Sequence, residues 1–212
     1  MRLPTTVPTA TRHNTARCPA LRRFATFAAT AAVGTVVCLP IQDAHAAPGA
    51  DGMPGGEPFV ELRLYPTGQI VGLGWRQMLA PQDPLSAAVL YNRVRRGNNG
   101  RHDDERGDGL GAGLGWDHFL AGGQGVGLGW SLGARADAFA LRIDYRDATA
   151  AGRSRVTVLQ PTATAGYSFA GFDSGWRIGL SAGLGTEINV STAGAKVGQG
   201  AIALLGLSVS LR

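Results

Sequence analysis

Three stretches of the chain alternate small or polar residues with large apolar ones. Leu110–Trp116 reads Leu-Gly-Ala-Gly-Leu-Gly-Trp, Val126–Leu132 reads Val-Gly-Leu-Gly-Trp-Ser-Leu, and Trp176–Leu184 reads Trp-Arg-Ile-Gly-Leu-Ser-Ala-Gly-Leu. A period of two sends alternate side chains to opposite faces of a strand. One face here is bulky and apolar; the other is glycine, serine and arginine. A barrel in water hides its bulky apolar face. A narrow barrel in lipid does the reverse, because its wall meets acyl chains and its bore is crowded. The pattern predicts an architecture and a surrounding, not an activity.

The same period marks eight runs: Phe59–Tyr65, Gly68–Leu79, Leu85–Val94, Gly109–Leu120, Val126–Tyr145, Arg155–Phe169, Gly175–Val190 and Ala201–Leu211. The expected fold is all-β, an eight-stranded antiparallel up-and-down transmembrane β-barrel over residues 59–212. A tilted strand crosses the hydrocarbon layer in about 9–11 residues, so the longer runs project beyond it. The connections Arg95–Asp108, Arg146–Ser154 and Ser191–Gly200 are polar and long. Those at Ala80–Pro84, Ala121–Gly125 and Ala170–Ser174 are short, and Thr67-Gly68 makes a tight hairpin. Long loops outside and short turns in the periplasm are the rule for outer-membrane barrels.

Lipid-facing positions follow: Val71, Leu73 and Trp75; Leu110, Ala112, Leu114 and Trp116; Val126, Leu128, Trp130 and Leu132. The later runs contribute Ala163, Ala165, Tyr167 and Phe169, then Trp176, Ile178, Leu180, Ala182 and Leu184, and finally Ala203, Leu205, Leu207, Val209 and Leu211. Trp116, Trp130, Tyr167, Phe169 and Trp176 border the short turns and form the expected membrane-interface aromatics. In the fifth run the apolar phase slips near Ala138. Phe139, Leu141, Ile143 and Tyr145 then take the apolar face, which predicts a bulge or the end of the membrane zone.

Hydrocarbon offers backbone groups no hydrogen-bond partner, so a spanning sheet must close. Eight strands leave a bore that side chains fill. The bore-facing set carries Glu61, Arg63, Arg76, Asp117, Arg135, Asp137, Arg177 and Glu187, four cations against four anions. Unpaired buried charge is costly, so a paired network is expected, more plug than pore.

The first 46 residues have the form of a secretion signal. Arg2, Arg12, Arg17, Arg22 and Arg23 precede the apolar run Phe24–Val37, and Ala44-His45-Ala46 fits a small-x-small cleavage site. Residues 47–58 form a Gly/Pro-rich lead. The leader holds five of the 20 basic residues and one of the 15 acidic ones, so the net charge of +5 falls to +1 once it is cleaved. The basic balance thus belongs to export, and no nucleic-acid partner is expected. Cys18 and Cys38 both lie in the leader, which leaves no thiol for a disulfide or a metal. No run of 18 apolar residues marks a transmembrane helix.

Residues 59–212 resemble the small eight-stranded outer-membrane barrels, the OmpA-like transmembrane domain and OmpX-like proteins. The glycine–apolar strands, the alternating connections and the run Gln160-Pro161-Thr162-Ala163-Thr164-Ala165-Gly166-Tyr167-Ser168-Phe169 carry the resemblance. It implies a location in the bacterial outer membrane after cleavage near Ala46, a monomer, and outer-membrane lipid and the barrel-assembly machinery as partners. Such barrels usually end on an aromatic residue; this chain reads Val209-Ser210-Leu211-Arg212.

His102 lies among acids in Arg101-His102-Asp103-Asp104-Glu105-Arg106, which reads as a solvated charged loop before a metal site. His118 follows Asp117 but points to the opposite face, at the membrane interface. Ser131, Ser168 and Ser181 read as small bore residues without a histidine on their strand face, so no catalytic residue, metal or cofactor is assigned. Gly107-x-Gly109-x-x-Ala112 and Gly198-x-Gly200-x-x-Ala203 lead into strands and lack the helix a dinucleotide fingerprint needs. Arg93, Arg95, Arg96, Arg101 and Arg106 suit lipopolysaccharide phosphates; plain solubility of the loop is the simpler reading. The expected role is structural or surface-interacting. The alternatives are a narrow channel for ions or small solutes, a lipid A-modifying enzyme, and a soluble periplasmic barrel with its faces reversed.

Overall fold

A computed structural model describes residues 56–120, 126–171 and 175–211. The expected leader, most of the 47–58 lead and most of two short turns, Ala121–Gly125 and Ala170–Ser174, lie outside the described residues. Eight strands follow in chain order: β1 (Glu57–Tyr65), β2 (Gly68–Ala80), β3 (Asp83–Arg95), β4 (Asp104–Phe119), β5 (Gly129–Arg146), β6 (Ala151–Ala170), β7 (Trp176–Ala193) and β8 (Gly200–Leu211). Each pairs antiparallel with its neighbour, and β1 closes the ring on β8, with Val60 opposite both Leu73 and Val209. The expected eight-stranded up-and-down barrel is the fold observed.

The barrel begins two residues earlier than expected, at Glu57. The strands reach further at the loop end, and the loops shrink accordingly. Asp104–Asp108 is strand, not loop, and β6 runs for 20 residues, about twice a membrane crossing. β5 and β6 are joined by a tight turn in which Asp147 N donates to Ala150 O at 2.7 Å.

Over the lower part of the wall the faces are as the alternation predicts. Leu73, Leu114, Leu180 and Leu207 point outward with 64%, 61%, 52% and 43% of their surface exposed. Glycine and serine face the bore, where a Cβ on Gly113 would lie 2.0 Å from Asp137 Oδ1. Two assigned residues do not fit. Leu128 is buried and Val126 half-buried, because β5 begins only at Gly129. Gly127 (φ +66°) and Gly129 (φ +96°) turn the chain there, so the apparent alternation from Val126 is a turn.

Above this zone the polarity of the wall reverses. The interior becomes an apolar core of Ile70, Leu90, Val94, Phe139, Leu141, Ile143, Val156, Val158 and Val197. The exterior carries Arg93, Arg95, Arg106, Asp108, Arg142, Asp144, Arg153 and Arg155, all exposed. β5 keeps unbroken two-residue alternation through this change and has no register shift against β4 or β6. Of the two alternatives for the phase slip near Ala138, the bulge is absent and a change of zone fits. Phe139, Leu141 and Ile143 face inward, and the outward face passes from Ala138 and Ala140 to Arg142 and Asp144. Register shifts lie elsewhere, between β6 and β7 at Thr157/Val158 and between β2 and β3 at Met78/Ala80.

Candidate functional site in the bore and at the rim

The eight charged residues assigned to the bore all belong to its lining, but they do not form a single network. Four make a closed ring at mid-height. Arg63 Nη1 donates to Asp137 Oδ2 at 2.6 Å, and Arg135 Nε donates to Asp137 Oδ1 at 2.8 Å. Arg135 also grips Glu61 with both Nη atoms, at 2.7 and 3.2 Å, and Arg63 Nη2 lies 3.5 Å from Glu61 Oε1. β1 and β5 are opposite walls of an eight-membered ring, so this quartet spans the bore. Its charges alternate around the ring and their sum is zero, which is how buried ions offset their desolvation. The missing side chains of Gly72 and Gly113 give them room: a Cβ on Gly72 would lie 2.7 Å from Glu61 Oε1.

Arg177 lies below, at the turn end. It is 3.0 Å from Glu57 Oε1 and donates to Val126 O at 3.2 Å, while Ser210 Oγ donates to Glu57 Oε2. Glu57 fell before the first expected strand and was missed. Between this pair and the quartet lies a cavity of about 90 Å³, lined by Arg76, Asp117, Ser131, Ser168, Ser181 and Ser208. Arg76 stacks over Phe59 at 5.3 Å from the ring centre.

Glu187 belongs to a third group near the loop end. Arg96 Nη1 donates to Glu105 Oε2 at 2.9 Å, and Nη2 donates to Glu187. Arg96 was expected on the exposed loop with Arg93, Arg95, Arg101 and Arg106; it is buried instead. Glu105 is fully buried and accepts from the backbone amides of Arg101 (2.8 Å), His102 (3.1 Å) and Gly198 (3.1 Å). Burial pushes the Glu105 carboxyl up, but the Arg96 guanidinium and these amides outweigh it and hold the group below the usual carboxylate range. Glu105 thereby ties the β3–β4 loop to the β7–β8 loop.

One clue to Glu105 was present in the sequence. Gly107, Gly109, Gly111, Gly113 and Gly115 share one face of β4, and continuing that period upward lands on Glu105. The charged run around it concealed the continuation. Gly107 and Gly109, part of the loose dinucleotide match, are close-approach positions: a Cβ would lie 2.2 Å from Arg142 O and 2.0 Å from Ala140 O respectively.

His102 sits in the β3–β4 connection with its side chain largely covered. Its Nδ1 is 2.7 Å from Asp147 Oδ2, its Nε2 is 3.0 Å from Lys196 O, and its ring stacks on Tyr145 at 4.2 Å. The Glu105 carboxylate is taken up by Arg96 and by backbone amides, that of His102 among them, and among the described residues no three His, Cys, Asp or Glu side chains gather as metal ligands would. The Asp147 hydrogen bond raises the His102 pKa above its ordinary value, and the same bond lowers that of Asp147. His118 Nδ1 faces Asp83 Oδ1 at 2.9 Å, and its ring lies 6.3 Å from that of Trp116. Among the described residues both histidines thus face an aspartate. Trp116, Trp130, Tyr167, Phe169 and Trp176 all point outward toward the turn end, with Trp130 edge-on to Tyr167 at 5.2 Å.

No family model and no curated protein matches the chain. Among solved structures it is similar to the N-terminal β-barrel domain of Pseudomonas aeruginosa OprF, at 15% identity and a TM-score of 0.45, over 74% of this chain and 96% of that one. It is also similar to Neisserial surface protein A (NspA), at 13% identity and a TM-score of 0.44, over 74% of this chain and 93% of that one.

Proposed function

We propose that this chain is a monomeric, non-enzymatic outer-membrane barrel with a closed bore and an ordered extracellular cap, serving a structural or surface-interaction role. One observation carries the reading: apolar side chains cover the outside of all eight strands over one zone, and above it the wall turns charged on β3–β6. In water the exposed belt would be an aggregation surface; in a bilayer it is the required one. The outward aromatics at the turn end suit the periplasmic headgroup level. Outer-membrane lipid and the barrel-assembly machinery are the partners this reading entails.

The quartet argues against the channel alternative. Two arginines and two carboxylates fill the bore between opposite walls, and the apolar core above adds a second seal. The test is twofold. Membrane fractionation with heat-modifiable gel migration should place a folded barrel in the outer membrane, and recovery in the soluble fraction overturns the reading. Purified protein in planar bilayers should leave them sealed; discrete conductance steps favour the channel. Mass spectrometry of lipid A from a host carrying the chain should show no change, whereas altered acylation favours an enzyme.

A further inference from the structure

The outward charges above the apolar belt are confined to half the circumference. On each of β3, β4, β5 and β6 the outward face passes from an uncharged residue to a charged one in a single step of two residues, about 7 Å along the strand. The steps are Tyr91 to Arg93, Leu110 to Asp108, Ala140 to Arg142, and Thr157 to Arg155. Register joins them side by side: Arg93 opposite Asp108, Asp108 opposite Arg142, Arg142 opposite Arg155. A second row follows, with Arg95 opposite Arg106, Arg106 opposite Asp144 and Asp144 opposite Arg153. The flanking partners are neutral, Gln69 beside Arg93 and Ala193 beside Arg155. Among the described residues, no outward position of β1, β2, β7 or β8 is charged.

Internal pairing uses only part of this charge. Asp144 is held by Arg153 at 2.6 and 3.2 Å, and Asp104 by Arg106 at 2.9 Å. Arg93, Arg95, Arg142 and Arg155 make no ion pair among the described residues. A coat that served only solubility would surround the wall, whereas these two rows cover four strands and hold six arginines against two aspartates. Here unpaired guanidinium groups sit on one side, at the upper edge of the belt, where a bilayer places its phosphates.

We infer that this arginine ladder on β3–β6 is a binding surface for the phosphorylated headgroups of lipid in the surrounding outer leaflet. The inference rests on the membrane reading above. It replaces the β3–β4 loop as the contact: Arg96 is withdrawn into the bore, and Arg142 and Arg155 from other strands take its place. Guanidinium groups suit the site because they bind phosphate oxygens through paired N–H donors.

The test uses the full chain purified in non-ionic detergent, with heat-modifiable migration as the check on folding. Native mass spectrometry follows titration with bisphosphorylated lipid A, with the same lipid dephosphorylated, and with inorganic phosphate as competitor. Bisphosphorylated lipid A should bind, and the dephosphorylated form should bind at least about tenfold more weakly. An arginine facing an anionic leaflet contributes about fivefold, so the triple variant Arg93→Gln, Arg142→Gln, Arg155→Gln should lose roughly a hundredfold. The double variant Arg101→Gln, Lys196→Gln, which removes two exposed loop cations, should bind as the parent does.

Equal binding of the two lipids, or a folded triple variant that binds like the parent, overturns the inference. Displacement by inorganic phosphate at the lipid's own concentration overturns the assignment to a lipid. Tryptophan quenching by brominated acyl chains separates the two readings. Quenching with phosphate-blind binding overturns the ladder alone, while unquenched tryptophans overturn the embedding and the ladder with it.

Discussion

Both ring nitrogens of His102 face acceptors: Nδ1 lies 2.7 Å from Asp147 Oδ2, with Lys196 O on the Nε2 side at 3.0 Å. A carboxylate and a carbonyl only accept, and a neutral imidazole carries one N–H. The imidazolium alone satisfies both contacts. His102 therefore joins three connections, β3–β4 through its own backbone, β5–β6 through Asp147 and β7–β8 through Lys196.

The pH dependence follows from this geometry. The His102 pKa is raised in the folded protein, first by the Asp147 hydrogen bond. Its contribution is complete below the unfolded value of about 6.5 and is lost as pH rises through the higher folded value. Asp147 is lowered, first by the same bond, so its share is complete above about 3.9 and is lost as pH falls through the folded value. The loops should thus be best protected between roughly pH 4 and 6.5. With the intrinsic base-catalysed rate divided out, the protection of the Asp103 amide and of the Asp147–Ala150 turn against hydrogen exchange should fall as pH rises through the raised folded value of His102. His102→Gln should remove that pH dependence; its persistence in the variant would rule out the clasp.

The bore quartet predicts a larger loss for one change than for four. Asp137→Ala strands Arg63 and Arg135 in the wall without their shared acceptor and should cost about 3–5 kcal/mol. Replacing all four members with apolar residues of similar volume should be far less damaging than the single change. Urea unfolding in detergent micelles, read by heat-modifiable migration, measures both. A loss under about 1 kcal/mol for Asp137→Ala would show that the quartet is not as dry as its burial implies.

Gly113→Ala tests whether glycine sets the space for that quartet. The new methyl would meet Asp137 Oδ1 at 2.0 Å and Arg135 Nη2 at 2.8 Å, so the carboxylate must move out of its two hydrogen bonds. A loss of about 1–3 kcal/mol is expected in the same unfolding assay. The loss should shrink in an Asp137→Ala background, where the clashing group is gone. Additive losses would place the cost in the backbone and not in the ion pairs.

The strand count, the closure and the inverted faces of the lower wall were legible because glycine alternating with leucine or tryptophan repeats on several strands. The upper wall left two readings open, a bulge or the end of the membrane zone, for a definite reason. At Ala138 the apolar set of β5 moves from even to odd positions, and from sequence alone a bulge would look the same. On the proposed membrane reading the chain keeps its phase while the surroundings change from hydrocarbon to water, and water demands the opposite pattern. Arg96 and Glu105 were obscured likewise, since a charged run carries no apolar residue to mark which side is inward. The pairing of Glu57 with Arg177, and of His102 with Asp147, joins residues distant in sequence and has no local signature.

Substitutions along β5 decide between a change of surroundings and a change of phase. Leu141 is buried beneath the cap in this fold, so Leu141→Ala should cost about 2–5 kcal/mol. Were the strand bulged and Leu141 turned outward, the same change would cost little. Ala136 and Arg142 both face out, on either side of the transition. Ala136→Arg places a cation in the belt and should cost about 2–4 kcal/mol, with poorer membrane insertion. Arg142→Ala, on the water side, should leave the unfolding midpoint of the barrel nearly unchanged. The three measurements share one assay, and the polarity reversal requires large losses at Ala136 and Leu141 with a neutral change at Arg142. A neutral Leu141→Ala would restore the bulge and remove the apolar core from the cap.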